Sequence, residues 1–177
     1  MKIYKTQIKG LLVVKQKNNI DKRGSLRETY NKKLLNKKFV FEYCTTSKKN
    51  ILRGFHFQTR FQQSKYVNVL KGKILDVVVD LRKNSQTFGK SFKIILSQKN
   101  ATSLFIPRGF AHAYFSYDAE NIIYYKLDNF YKPKFENGII FDDKQLKIKW
   151  PKKKAIISEK DKKLKSLKNF INTYNAL

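Results

Sequence analysis

The sequence predicts an all-β fold with a helical C-terminus, on three observations. Short apolar runs with a two-residue period fill the middle of the chain, turn signals separate them, and a stripe at helical spacing marks the end. Seven glycines, three prolines and no repeat or low-complexity linker leave no seam in the 177 residues. That length suits a single domain, expected to span 1–177 with its strand-built core over about 20–150 and a helical tail over about 158–177.

The clearest strand is Lys73–Leu81, KILDVVVDL. Ile74, Asp76, Val78 and Asp80 fall on one face and Leu75, Val77, Val79 and Leu81 on the other, so a mainly apolar strand covered on both sides is expected. Similar runs occupy Phe39–Cys44, Tyr66–Leu70, Ser91–Leu96, Ser103–Pro107, His112–Tyr117 and Asn121–Leu127. Lys71-Gly72, Lys83-Asn84-Ser85, Lys99-Asn100 and Pro107-Arg108-Gly109 punctuate them as turns. Many short strands at this spacing point to an antiparallel sandwich or barrel. Beyond them, Leu164, Leu167, Phe170, Ile171 and Tyr174 share the stripe of one amphipathic helix. Ser158 stands at its N-cap, with Asp161 three residues on as in a capping box.

The net charge is +26, from 39 Lys and Arg against 13 Asp and Glu. Such a balance raises a polyanionic partner, and a basic nucleic-acid-binding β-barrel is the alternative of a different class. The lysines, however, are spread along the whole chain among Asn, Ile, Phe and Tyr, which reads as composition bias on a solvated surface. The apolar patch Leu11–Val14 is too short for a signal segment, and no run reaches the length of a membrane span. A single cysteine, Cys44, allows no internal disulfide and fits a reducing compartment. A cytoplasmic protein with no membrane partner is expected.

Histidine is scarce: only His56 and His112 occur. Strict alternation puts Arg53 and His56 on opposite faces of their strand, but Gly54 between them can support a bulge that turns both toward one pocket. Two distant histidines argue against a metal site. Phosphate-binding glycine loops and a nucleophile elbow are absent. What remains is acid–base chemistry by His, Tyr, Lys and carboxylates.

Eight segments in register resemble the signatures of the dTDP-4-dehydrorhamnose 3,5-epimerases, from Asp21 to about Asp161. They are Asp21-Lys-Arg23-Gly24 with Glu28; Ile51-Leu-Arg53-Gly-Phe-His56-Phe-Gln58; Gln63-Ser-Lys65-Tyr-Val67; Asp76 to Arg82 with Ser85 to Lys90; Ile106-Pro-Arg-Gly-Phe-Ala-His112; Tyr125-Lys126 through Pro133 and Glu136; Trp150-Pro151; and Ser158-Glu-Lys160-Asp161. The resemblance implies a cupin-type jelly roll, usually a homodimer that exchanges an N-terminal segment. It also implies an isomerase that needs no cofactor and inverts carbons beside the ketone of a nucleoside-diphosphate 4-keto sugar. His56 matches the general base, Asp161 its carboxylate partner, Tyr125 the general acid and Lys65 the lysine near the reacting carbonyl. Arg23, Glu28, Arg53, His112, Glu136 and Lys160 fall at positions that bind the nucleotide sugar, and Tyr131 at an aromatic lining the pocket.

These residue types suit that chemistry. Removing a proton beside a ketone creates an enolate, which a neighbouring cation stabilises. Histidine titrates near neutrality, a carboxylate fixes its tautomer, and a tyrosine keeps its proton until the enolate takes it. Ile123 and Tyr125 share one strand face by parity, so Tyr125 is expected inward and Tyr124 outward. Forked arginines, Arg23 and Arg53, suit a diphosphate.

One stretch departs from the family pattern. Where Gln-Asp-Asn-His is common, this chain reads Phe41-Glu42-Tyr43-Cys44, so Phe41, Tyr43 and Cys44 replace the Gln, Asn and His. In the family, the Gln and Asn contact the nucleotide sugar. The substitutions leave open a GDP-linked 4-keto-heptose of a capsule pathway in place of a dTDP-linked 6-deoxyhexose, and inversion at C3 alone. A cupin-type ketoisomerase is a further alternative within enzymes; Tyr125 and Lys65 in their motif contexts count against it.

Overall fold

The computed structural model describes residues 1–151 and 154–177. Two antiparallel sheets face each other. One holds six strands: β1 (Lys2–Lys5), β2 (Leu12–Lys15), β5 (Phe41–Lys48), β7 (Lys65–Lys71), β10 (Thr102–Ile106) and β12 (Glu120–Leu127), ordered β1-β2-β10-β7-β12-β5. The other holds β6 (Leu52–Gln58), β8 (Lys73–Asp80), β9 (Ser91–Ser97), β11 (Phe110–Ser116) and β13 (Glu136–Gly138), ordered β13-β6-β11-β8-β9. From β5 onward the chain passes repeatedly between the sheets, giving the expected jelly roll.

Each expected strand is present, with ends shifted by a few residues. Strands also precede residue 20: β1 and β2 extend the six-stranded sheet, with Val14 opposite both Ile3 and Ser103. A separate two-stranded hairpin, β3 (Asn18–Asp21) and β4 (Gly24–Arg27), projects beside the sandwich. Arg27 ties it down by donating from Nη2 to the Val69 carbonyl at 2.8 Å.

The double-faced burial of β8 has a simple cause. Ile74 and Val78 join Val67, Leu104, Ile123 and Leu127 in the core between the sheets. Val77, Val79 and Leu81 face the other way and pack with Phe55, Phe57, Ile139, Leu167 and Phe170. The C-terminal segment thus lids the outer face of the five-stranded sheet. A smaller cluster, Val14, Leu35, Tyr66 and Phe105, covers the six-stranded sheet under α1 (Lys32–Leu35).

The C-terminus is not the single helix expected. It splits into α2 (Glu159–Lys162) and α3 (Leu167–Tyr174). The chain between them is drawn extended because Ile140 N–H donates to the Lys165 carbonyl at 2.9 Å, and Ser166 then caps α3 by accepting from Asn169 N–H. Ser158 caps α2 by accepting from Asp161 N–H. The reciprocal half of a capping box is missing, because the Asp161 carboxylate turns away to β6.

The bulge expected at Gly54 is present. Between His112 and Tyr114, β11 advances two residues while its partner β6 runs three, from His56 back to Arg53. Gly54 takes φ +112°, and a Cβ there would lie 2.5 Å from the His112 carbonyl oxygen and 2.7 Å from Ala113 Cα. Backbone atoms in a paired strand cannot step aside, so only glycine fits. Gly54→Ala is expected to cost on the order of 3 kcal/mol, a named-mechanism loss at the upper end of ordinary substitutions. Urea unfolding measures it as a lower midpoint at similar m; an unchanged midpoint counts against the reading.

Candidate active site

Inward-facing positions of a sandwich are normally apolar, so polar side chains there mark a site. At one end of this sandwich both sheets turn polar groups inward around a cavity of about 170 Å³. The six-stranded sheet supplies Tyr43 and Thr45 from β5, Lys65 from β7 and Tyr125 from β12. The facing sheet supplies Arg53, His56 and Gln58 from β6, His112 and Tyr114 from β11, and Glu136 from β13. Tyr131 closes the mouth. The bulge at Gly54 brings Arg53 and His56 to the same cavity, and Tyr124 faces outward to Glu42, as parity requires.

On the five-stranded wall, His56 Nε2 meets Asp161 Oδ1 at 2.7 Å. The other carboxylate oxygen accepts from Gly54 N–H at 3.0 Å. Burial pushes the Asp161 carboxyl up, but the bonds from His56 and Gly54 outweigh it and hold it below the ordinary range. An ionised Asp161 fixes the tautomer: Nε2 carries the proton and Nδ1 keeps its lone pair. On the opposite wall, Tyr125 is 3% exposed. Burial, aided by the neighbouring Tyr114 and Tyr43, drives its phenol well above the ordinary value, so it stays protonated.

Lys65 lies between. Burial lowers its ammonium to about 8, with Asp76 and Glu136 pulling the other way. At neutral pH it is still a cation, stripped of much of its water. Glu136 binds the Tyr131 hydroxyl at 2.5 Å and Lys160 Nζ at 2.6 Å. Burial raises its carboxyl and these two bonds, with Lys160 first, bring it down below the usual value. Lys160 and Asp161 line a second cavity that shares Arg53 and His56 with the first.

Two expected residues are not brought here. Arg23 is exposed and pairs with Asp21 at 2.6 Å, and Glu28 accepts from Asn31 Nδ2 at 2.7 Å. Both belong to the projecting β3–β4 region, which Arg27 ties to the Val69 carbonyl of β7, and neither side chain lines the cavity. The sequence reading also gave no role to Asp76, which is fully buried and holds His112 Nε2 at 2.8 Å. Its other oxygen has no partner among the described residues. The signal was available: a carboxylate between Ile74 and Val78 on the inward face of β8 is costly unless paired. Of the departures, Tyr43 stacks on Tyr125 with centroids 4.8 Å apart, Phe41 packs on Tyr43 and Phe130, and Cys44 points outward.

A family model described as dTDP-4-dehydrorhamnose 3,5-epimerase matches residues 5–169. The chain belongs to this family. A Methanothermobacter thermautotrophicus protein of that name is 38% identical over 175 residues, covering 94% of this chain and 95% of its own. The Legionella pneumophila dTDP-6-deoxy-D-glucose-3,5-epimerase, solved with dTDP-4-keto-L-rhamnose, superposes at TM-score 0.90 with 37% identity over 94% of this chain and 93% of its own. The Bacillus anthracis dTDP-4-dehydrorhamnose 3,5-epimerase, solved with TDP and pyrophosphate, gives 0.90 and 36%, covering 94% and 99%. Family membership makes the protein an enzyme, an isomerase acting on nucleotide sugars.

In this epimerase-family site, Lys65 is expected to titrate near pH 8 by NMR of its labelled ammonium group, below the ordinary lysine range. Glu136→Gln removes a charge that favours the cation and is expected to move that midpoint lower still. A wild-type midpoint above 10 would show that Lys65 is solvated rather than buried.

Proposed function

We propose that the enzyme inverts C3, C5 or both of a nucleoside-diphosphate 4-keto sugar by proton abstraction and return, using its own side chains and no cofactor. The observation that carries this reading is the opposition of the two walls: His56 on one sheet, held by Asp161, faces a protonated Tyr125 on the other, with the Lys65 cation beside Tyr125 on the same cavity. His56 Nδ1 takes the proton from the carbon beside the ketone, and the C–H electrons move onto the carbonyl oxygen. Lys65 stabilises that enolate oxygen. Tyr125 then gives its proton to the opposite face of the carbon, and the configuration inverts. Arg53, His112 and Lys160 supply positive charge and donors for the diphosphate.

The dTDP ligands of the Legionella and Bacillus relatives support a dTDP sugar as the first substrate to try. Tyr43 supports a narrower second reading. An aromatic ring stacked on Tyr125, with His112 at its edge 6.2 Å away, restrains the acid and favours inversion at one carbon, C3. The convergence of His56, Tyr125 and Lys65 inside the sandwich removes the ground for a nucleic-acid-binding barrel. The exposed free thiol of Cys44 suits a reducing cytoplasm.

A homodimer is part of the same reading. Ile20 and Leu26 on the projecting hairpin are 76% and 69% exposed, and Arg23 and Glu28 stand beside them without a site. A second copy would cover the apolar pair and receive the charged pair at its cavity mouth. Sedimentation of the full chain is expected to give a dimer, and a monomer at micromolar concentration would overturn this arrangement.

The central test is exchange of carbon-bound protons in heavy water, followed by NMR with dTDP- and GDP-linked 4-keto sugars. Exchange at C3 and C5 that disappears in His56→Asn is the expected result, and exchange at C3 alone selects the narrower reading. No exchange with any such sugar sinks the proposal.

A further inference from the structure

Each inversion leaves a debt of one proton inside a closed site. His56 ends with a proton gained and Tyr125 with one lost, so neither is ready for another inversion. Tyr125 is 3% exposed, and a sugar in the cavity blocks the approach of water from that side. A route for its return is needed, and the inward face of β5 offers one.

Thr45 and Ser47 follow Tyr43 on that face, and Tyr43 is the direct cross-strand partner of Tyr125. Thr45 is therefore the diagonal neighbour of Tyr125, within reach of a long side chain, and its hydroxyl favours the ionised phenol against burial. The Thr45 hydroxyl also meets Tyr114 Oη at 3.2 Å, and Tyr114 Oη meets Ser47 Oγ at 2.8 Å. Arg53 Nε–H donates to Ser47 Oγ at 3.3 Å. A guanidinium can only donate, and a hydroxyl can donate once while it accepts, so with Arg53 donating to it Ser47 can pass its own hydrogen to Tyr114, Tyr114 to Thr45, and Thr45 toward Tyr125. In that arrangement every hydroxyl points its proton toward Tyr125. Arg53 also borders the second cavity, which it shares with His56 and Asp161.

Resting on the epimerase reading above, we propose that Thr45, Tyr114 and Ser47 form a hydroxyl relay that reloads Tyr125 after each inversion. The Tyr125 phenolate takes the Thr45 proton, Thr45 takes that of Tyr114, and Tyr114 takes that of Ser47. Ser47 is refilled by water from the Arg53 side, while His56 gives its extra proton to water in the second cavity. One proton has passed from His56 to Tyr125 through solvent, and nothing is oxidised or reduced. Ser47 and Tyr114 act through Tyr125 and are positioning residues.

The test compares Ser47→Ala and Tyr114→Phe with the wild-type enzyme, using whichever 4-keto sugar the wild type exchanges. With the relay cut by Ser47→Ala, whose side chain lines neither cavity, the first inversion in a rapid-quench experiment is expected within about twofold of wild type. Steady-state kcat is expected to fall at least about tenfold, below the usual contribution of a positioned proton donor because solvent still leaks in. Raising the concentration of a small buffer acid, imidazole, is expected to restore kcat in the variants and leave wild type unchanged. Equal kcat in all three enzymes, or a first inversion slowed as much as kcat with no buffer rescue, overturns the relay while the epimerase reading stands. A wild type that exchanges no 4-keto sugar overturns that reading, and the relay with it.

Discussion

The Asp161 carboxylate holds the end of the chain to the strand that carries His56. One oxygen takes the Gly54 N–H exposed by the bulge, and the other takes the ring of His56. The bond to Gly54 thus satisfies a backbone donor that the extra residue in β6 leaves out of its ladder, and the bond to His56 sets which nitrogen is free. Because α2 brings Asp161 there, α3 comes to lie over Phe57 and the outer face of the sheet through Phe170. Stability of the C-terminal lid and orientation of the imidazole are therefore one property.

The cavity gathers groups that burial alone would disable. Burial works against the Lys65 cation and the Asp161 anion; the carboxylates of Asp76 and Glu136 favour the first, and the bonds from His56 and Gly54 favour the second. Glu136 in turn relies on Lys160 and Tyr131. The two walls differ: the five-stranded sheet presents two histidines, each held by a carboxylate, and the six-stranded sheet presents the phenols of Tyr43 and Tyr125, which burial drives up. A pair of groups whose environments push their proton affinities apart suits acid and base roles on opposite sides of one substrate.

The departures on β5 show how one face of a strand changes a site while the other does not. Tyr43 faces inward and takes the ring of Tyr125, whereas Cys44, one residue on, faces solvent and alters nothing in the cavity. Replacing an amide by a phenol removes hydrogen-bonding capacity along one edge and adds a rigid flat surface. The same inward parity that carries Tyr43 also carries Thr45 and Ser47, so the aromatic wall and the row of hydroxyls are one feature of the strand.

By itself the sequence determined an antiparallel β fold, because period-two runs such as Lys73–Leu81 and Asn121–Leu127 sort their faces as strands do, while the choice between sandwich and barrel lay in the packing. It also allowed the bulge, since glycine between Arg53 and His56 permits a backbone that other residues do not. Strands β1 to β4 were not legible: each is only four residues long, and pairing with neighbours, rather than local pattern, makes them extended. The break between α2 and α3 was hidden for a similar reason, because a helical stripe continues through Leu164 while a bond from Ile140 to Lys165 pulls the backbone straight. Within the site, parity fixed which way Tyr125 points, and the family pattern singled out His56, Lys65 and Asp161. Only the tertiary structure decided that Asp76 holds His112, that Tyr43 stacks on Tyr125, and that Arg23 and Glu28 stay outside the cavity of their own chain. Those outcomes depend on which strands become neighbours, and neighbours far apart in sequence are chosen by the packing of the whole core.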